Sequence, residues 1–157
     1  MRNFCLLLFV GLVGFASQSR AATSDSITVT VSLGQVVSVS LDSNFWGIGS
    51  VVLGGVSTSP LYTATNNGNV AIDLTIKGTD GDGGWVLAPI AGAEEFSVDL
   101  TNPVLNVSTV DQVLATNVAV DGVKIIEMTY GVPVSDTFGG GVDQGFILFV
   151  TASLYVP

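Results

Sequence analysis

Hydrophobic and polar positions alternate along most of this chain, and the dominant period is two. Ile27, Val29, Val31 and Leu33 alternate with Thr28, Thr30 and Ser32, the pattern of a strand with one apolar face. After a break at Gly34-Gln35, Val37, Val39 and Leu41 alternate with Ser38 and Ser40. Val70, Ile72, Leu74 and Ile76 do the same around Ala71, Asp73 and Thr75, as do Phe96, Val98 and Leu100 around Ser97 and Asp99. Lys124, Ile126, Met128 and Tyr130 share one face of a further strand, while Val123 and Ile125 make its other face partly apolar. The last run, Phe146 to Val156, starts apolar on both faces, which predicts a central strand covered on both sides.

Turn residues separate these runs. Asn66-Asn67-Gly68-Asn69 offers side chains that tolerate positive φ and predicts a hairpin folding Leu61–Thr65 back onto Val70–Ile76. A second loop spans Thr79-Asp80-Gly81-Asp82-Gly83-Gly84, and Gly139-Gly140-Gly141 sits in a third. No window of helical length carries a 3.6-residue period; Ala91–Glu95 has room for one turn. Eight or nine short strands divided by such turns predict an all-β protein, a single sandwich domain over residues 22–157.

The first 21 residues read differently. Arg2 supplies a positive start, Phe4–Ala16 is an apolar run, and Ser19-Arg20-Ala21 places small residues where a signal peptidase reads them. The run is short for a bilayer span, which takes roughly 20 residues. Residues 1–21 are therefore expected to be a signal peptide cut after Ala21, and the protein to be secreted. Cys5 lies at the very start of the apolar run, not after it where a lipid-bearing cysteine belongs.

Cleavage changes the chemistry that remains. Arg2, Arg20 and Cys5 leave, so thirteen acids face only Lys77 and Lys124, a side-chain charge of −11. Such a chain lacks the basic footprint that nucleic acid requires, and anionic lipid head groups repel it. No membrane insertion of the mature chain is expected. There is no histidine in the sequence, so the usual Ser-His-Asp triad cannot be built. Neither lysine sits in a Ser-x-x-Lys arrangement. Glu94, Glu95 and Glu127 are the only glutamates, and nothing in their spacing places two carboxylates across a glycosidase cleft. The expectation is a protein that is not an enzyme and needs no cofactor.

Two features keep candidate chemistry open. Asp80 and Asp82 around Gly81 resemble the start of a calcium loop, because hard cations take several oxygen ligands. The places where an EF-type loop needs its third donor and its bidentate Glu hold Gly84 and Ala91, so a solvated acidic turn is the plainer reading. Asn106-Val107-Ser108 is an N-glycosylation sequon, of consequence only in a host that glycosylates exported proteins.

The run Phe45-Trp46-Gly47-Ile48-Gly49-Ser50-Val51, the Gly54-Gly55 turn, the stretch Ser57–Ser59, and Asn67-Gly68-Asn69 opening Val70–Ile76 together resemble exported prokaryotic Ig-like domains. Trp85 and the step Tyr130-x-x-Pro133 before the last strand fit the same pattern. More loosely, the layout is similar to TasA/camelysin-like matrix proteins, jelly-roll sandwiches that polymerise by strand donation. The resemblance covers the middle third of the chain and implies an Ig-like or jelly-roll fold and an extracellular structural or adhesive role. It carries over no catalytic residue. Trp46 and Trp85 are expected as core plugs or caps at a sandwich end.

The most informative segment is the first strand-like row. Ile27, Val29, Val31 and Leu33 follow directly on the expected cleavage site, and a strand at a free terminus can pair at home or enter a neighbour's open groove. At ~1.5–3 kcal/mol per fully buried side chain, four such residues gain roughly 6–12 kcal/mol before entropy costs. Head-to-tail contacts of this kind do not close and grow filaments. These four residues are the candidate polymer interface, with another copy of the chain as partner. The alternative is a monomeric binding module recognising glycan or a surface protein through loops 79–84 and 135–145.

Overall fold

A computed structural model describes residues 28–138 and 143–157. The chain divides into two units, Met1–Ser32 and Leu33–Pro157, and the fold below is that of the second. Its strands are β1 (Val39–Leu41), β2 (Val56–Thr58), β3 (Tyr62–Asn66), β4 (Ile72–Gly78), β5 (Val86–Leu87), β6 (Glu95–Thr101), β7 (Val104–Asn106), β8 (Gln112–Val118), β9 (Val123–Ile126), β10 (Met128–Gly131) and β11 (Leu148–Leu154). The described residues contain no helix, as the missing 3.6 period requires. The protein is all-β and sandwich-like.

Three sheets form. One has the order β1-β3-β9, a second β11-β4-β8, and the third β2-β10-β6-β5 with β7 also paired to β6. Every pairing is antiparallel except β5 with β6. The alternation read in the sequence sets which face each strand buries. Ile72, Leu74 and Ile76 of β4 are fully buried, with Asp73, Thr75 and Lys77 half-exposed between them. Phe96, Val98 and Leu100 of β6 fill the core beside Ile126, Met128 and Tyr130. Trp85 is buried in this cluster and Trp46 packs partly buried against it, as the plug reading expects.

In three places the fold departs from the sequence reading. Leu61–Thr65 and Val70–Ile76 do not pair as a hairpin, because β3 and β4 belong to different sheets. The turn between them is a corner, closed by the side chain of Asn66. Its Nδ2 donates to the carbonyls of Val70 (2.8 Å), Val118 (3.0 Å) and Ala119 (3.0 Å), and its Oδ1 accepts from the Gly68 N–H. An asparagine committed to this many partners fixes a crossing between layers, where a two-residue turn would have returned the chain to its own sheet. The second departure is the Lys124–Tyr130 run, which is two strands. It changes sheet at Glu127 while keeping Ile126, Met128 and Tyr130 on the buried side. The third is β11, expected to be central but placed at the edge of its sheet, paired with β4 alone among the described residues.

Candidate functional site

The N-terminal row comes first. Ile27 lies outside the described residues. Thr28–Leu33 belong to no strand, and Val29, Val31 and Leu33 are 77%, 78% and 85% exposed. Just beyond them the chain is held firmly. Asn69 accepts from Val36 N–H through Oδ1 (2.7 Å), donates to the Gly34 carbonyl (2.8 Å), and gives its own N–H to the Val36 carbonyl (3.0 Å). Gly68 leaves room for this approach, since a Cβ there would collide with the Val36 carbonyl oxygen. The Asn-Asn-Gly-Asn stretch therefore serves as a clamp on residues 34–36.

β1 and β11 each end a sheet, and an apolar groove of about 1110 Å³ has both among its lining strands. Ile76, Ile126, Met128 and Tyr130 reach it from the core strands; Phe146, Leu148 and Val150 come from β11 and its approach. Much of the remaining lining is contributed by a strap, residues 43–53, which contains no strand. The strap is tied down at few points. The Asp42 carboxylate accepts from Thr63 N–H (3.0 Å), and Tyr62 Oη donates to the Phe45 carbonyl (2.9 Å). Trp46 meets Tyr130 edge-on at 6.4 Å between ring centres. Tyr130 in turn stacks on Phe146 (5.6 Å, 7° between planes), and Phe96 lies 4.8 Å from Phe146. Aromatic packing of this kind stiffens the groove.

The electrostatics are uneven. The Asp42 carboxyl titrates below its ordinary range, chiefly because the Thr63 N–H stabilises the anion. Burial first, and then the nearby Asp42 charge, raise the Tyr62 hydroxyl. Burial alone pushes Tyr130 up to about 12. Asp82, Asp136 and Asp143 also line the groove, giving it an acidic portion.

Asp80 and Asp82 are engaged with backbone. Asp80 Oδ1 accepts from Leu87 N–H (3.0 Å), and Asp82 Oδ1 accepts from Gly145 N–H (2.7 Å). Among the described residues no group of three or more His, Cys, Asp or Glu side chains is placed to hold a metal ion. Glu94 bonds the Thr137 hydroxyl and Glu127 bonds that of Thr101 (3.0 Å). Lys77 pairs with Asp111 at 3.5 Å. Asn106 is exposed on β7, its amide held by Asp99. The chain matches no protein-family model and no curated protein. Among the described residues, no helix is long and apolar enough to cross a membrane.

The groove itself was absent from the sequence reading. It depends on which strands end a sheet, and alternation within a strand carries no such information. One signal pointed toward it: the approach to β11 is apolar on both faces, and Ile147 and Phe149 remain 57% and 44% exposed.

Proposed function

We propose that this protein is a secreted structural subunit of the cell surface, an Ig-like or jelly-roll sandwich that builds an extracellular filament or matrix by donating the strand Ile27–Leu33. The observation that carries this reading is the exposure of Val29, Val31 and Leu33 on a stretch that pairs with nothing among the described residues. Strict alternation is a design for burying one face, and an exposed row of that design is fitted to a partner. The acidic, lysine-poor composition suits an exported protein that must resist unspecific association until its contacts are made. No catalytic role is assigned to any residue.

The test is a pair of substitutions in the full-length chain, Val29→Asp with Val31→Asp. Both sites are exposed, so the expected product is a folded protein with unchanged melting behaviour that stays monomeric, while the parent forms polymers visible by negative-stain microscopy. An unfolded variant would make this row an ordinary core strand. Equal polymerisation of both chains, or of neither, would remove the strand from assembly.

A second reading has one observation behind it. Loops 79–84 and 143–145 meet beside Trp85, with Asp82 N–H donating to the Gly145 carbonyl (2.9 Å) and Trp85 N–H facing the Gln144 side-chain oxygen (3.4 Å). Loops joined in this way could present a ligand surface on a monomeric adhesion module for glycan or a surface protein. A monomeric parent chain that binds immobilised glycans would favour it.

A further inference from the structure

We propose that the groove associated with β1 and β11 is the acceptor, and that its occupant is the segment Ile27–Leu33 of a second copy, hydrogen-bonded along the free edge of β11. The inference rests on the strand-donation reading and adds to it the site on the receiving molecule.

Four observations converge on this occupant. An edge strand presents a row of backbone donors and acceptors that a further strand can use. β11 pairs only with β4 among the described residues, so its other edge is such a row. Its side chains alternate as an acceptor requires: Leu148, Val150 and Ala152 pack against the core, while Phe149, Thr151 and Ser153 are exposed. A strand laid beside it would continue that alternation, sending Ile27, Val29, Val31 and Leu33 toward the core. The lengths agree, since Leu148–Leu154 and Ile27–Leu33 are both seven residues. Charge selects the occupant as well. Asp82, Asp136 and Asp143 line the groove, and residues 27–41 carry no charged side chain in an otherwise strongly acidic protein. An acidic segment would be repelled there; this uncharged one is not.

In the proposed arrangement, donation passes between molecules. The Asn69 clamp holds residues 34–36 of each donor, so the arm of one copy is presented from a fixed base to the groove of the next. That contact is heterologous and propagates.

Cysteine cross-linking tests the placement in full-length chain with Cys5→Ser. Thr30 and Thr151 are the middle residues of the two strands and both are exposed. Molecules carrying Thr30→Cys are mixed with molecules carrying Thr151→Cys, and separately with Ser153→Cys to cover a register shift of two. Thr101→Cys, on β6, is the control. Adjacent strand positions fall within disulfide reach, so the expected result is at least about tenfold more mixed dimer with Thr151→Cys or Ser153→Cys than with the control. If polymers form yet neither β11 position cross-links above the control, the acceptor lies elsewhere and strand donation itself survives. If Thr30→Cys and Thr151→Cys in one chain close within the molecule and no mixed dimer forms, the arm fills its own groove and the intermolecular site is overturned. If there is neither polymer nor cross-link, both readings fall together.

Discussion

Asn66 has no solvent exposure and touches the backbone of three segments: its own turn, the end of β8 and the residue after it. Its main chain adds two more bonds, to Gly122 and Asp121. Asn66→Ala would strand buried carbonyls at ~1–3 kcal/mol each, so a loss of roughly 3 kcal/mol is expected in a urea melt. Asn66→Asp should be worse, because a carboxylate would face carbonyl oxygens and would have to be buried either charged or neutral. Gly68→Ala should also destabilise, and its effect should include weaker protection of the Val36 amide in hydrogen exchange. Tyr130 supplies a pH dependence of known sign. Its folded value near 12 lies above the ordinary value of 10, so the folded state holds the proton longer than the unfolded one. Its contribution is complete below pH 10 and is lost as pH rises from 10 toward 12. Tyr130→Phe should therefore flatten stability across that window, which alkaline melts monitored by circular dichroism will show.

Among the elements, strand faces were readable from sequence and strand partners were not. The buried side of β4, β6 and β10 is the apolar side of each alternating run, because a period of two leaves only two faces to choose between. Pairing depends on where the chain goes after a turn, and Asn66-Asn67-Gly68-Asn69 is chemically able to make either a hairpin or a corner. What decides is the burial of the Asn66 side chain against β8, a contact 52 residues away in sequence that no local reading contains. The edge position of β11 was hidden for the same reason, and with it the groove. Of the candidate residues, Val29, Val31 and Leu33 are singled out by alternation alone, whereas Tyr130, Phe146 and Trp46 become visible as a cluster only in three dimensions. Filling the groove should be visible at this scale too. On polymerisation, backbone amides along the free edge of β11 should gain protection from hydrogen exchange while those of β8 stay unchanged. Equal changes in both strands would point to general compaction.

At the scale of the whole molecule, charge sets the conditions for assembly. Counted over residues 22–157, the side chains carry −11, and the only lysines are Lys77 and Lys124. Repulsion between filaments should keep them apart at low ionic strength and fade as the Debye length shrinks to about 3 Å near 1 M salt. Lateral bundling should then rise with salt or divalent cations, and turbidity that falls with added salt would contradict this. Single filaments should respond far less, since the arm carries no charge. The clamp at Asn69 has a mechanical consequence for such a polymer. If subunits are joined through their arms, a pull along the filament would enter each one through residues 34–36, and the clamp would pass that force to the corner around Asn66 before it reached the short strand β1. In a filament built by strand donation the load would then be shared among β3, β4 and β8, and the arm would be strained in shear along β11, where all its bonds would have to give way at once.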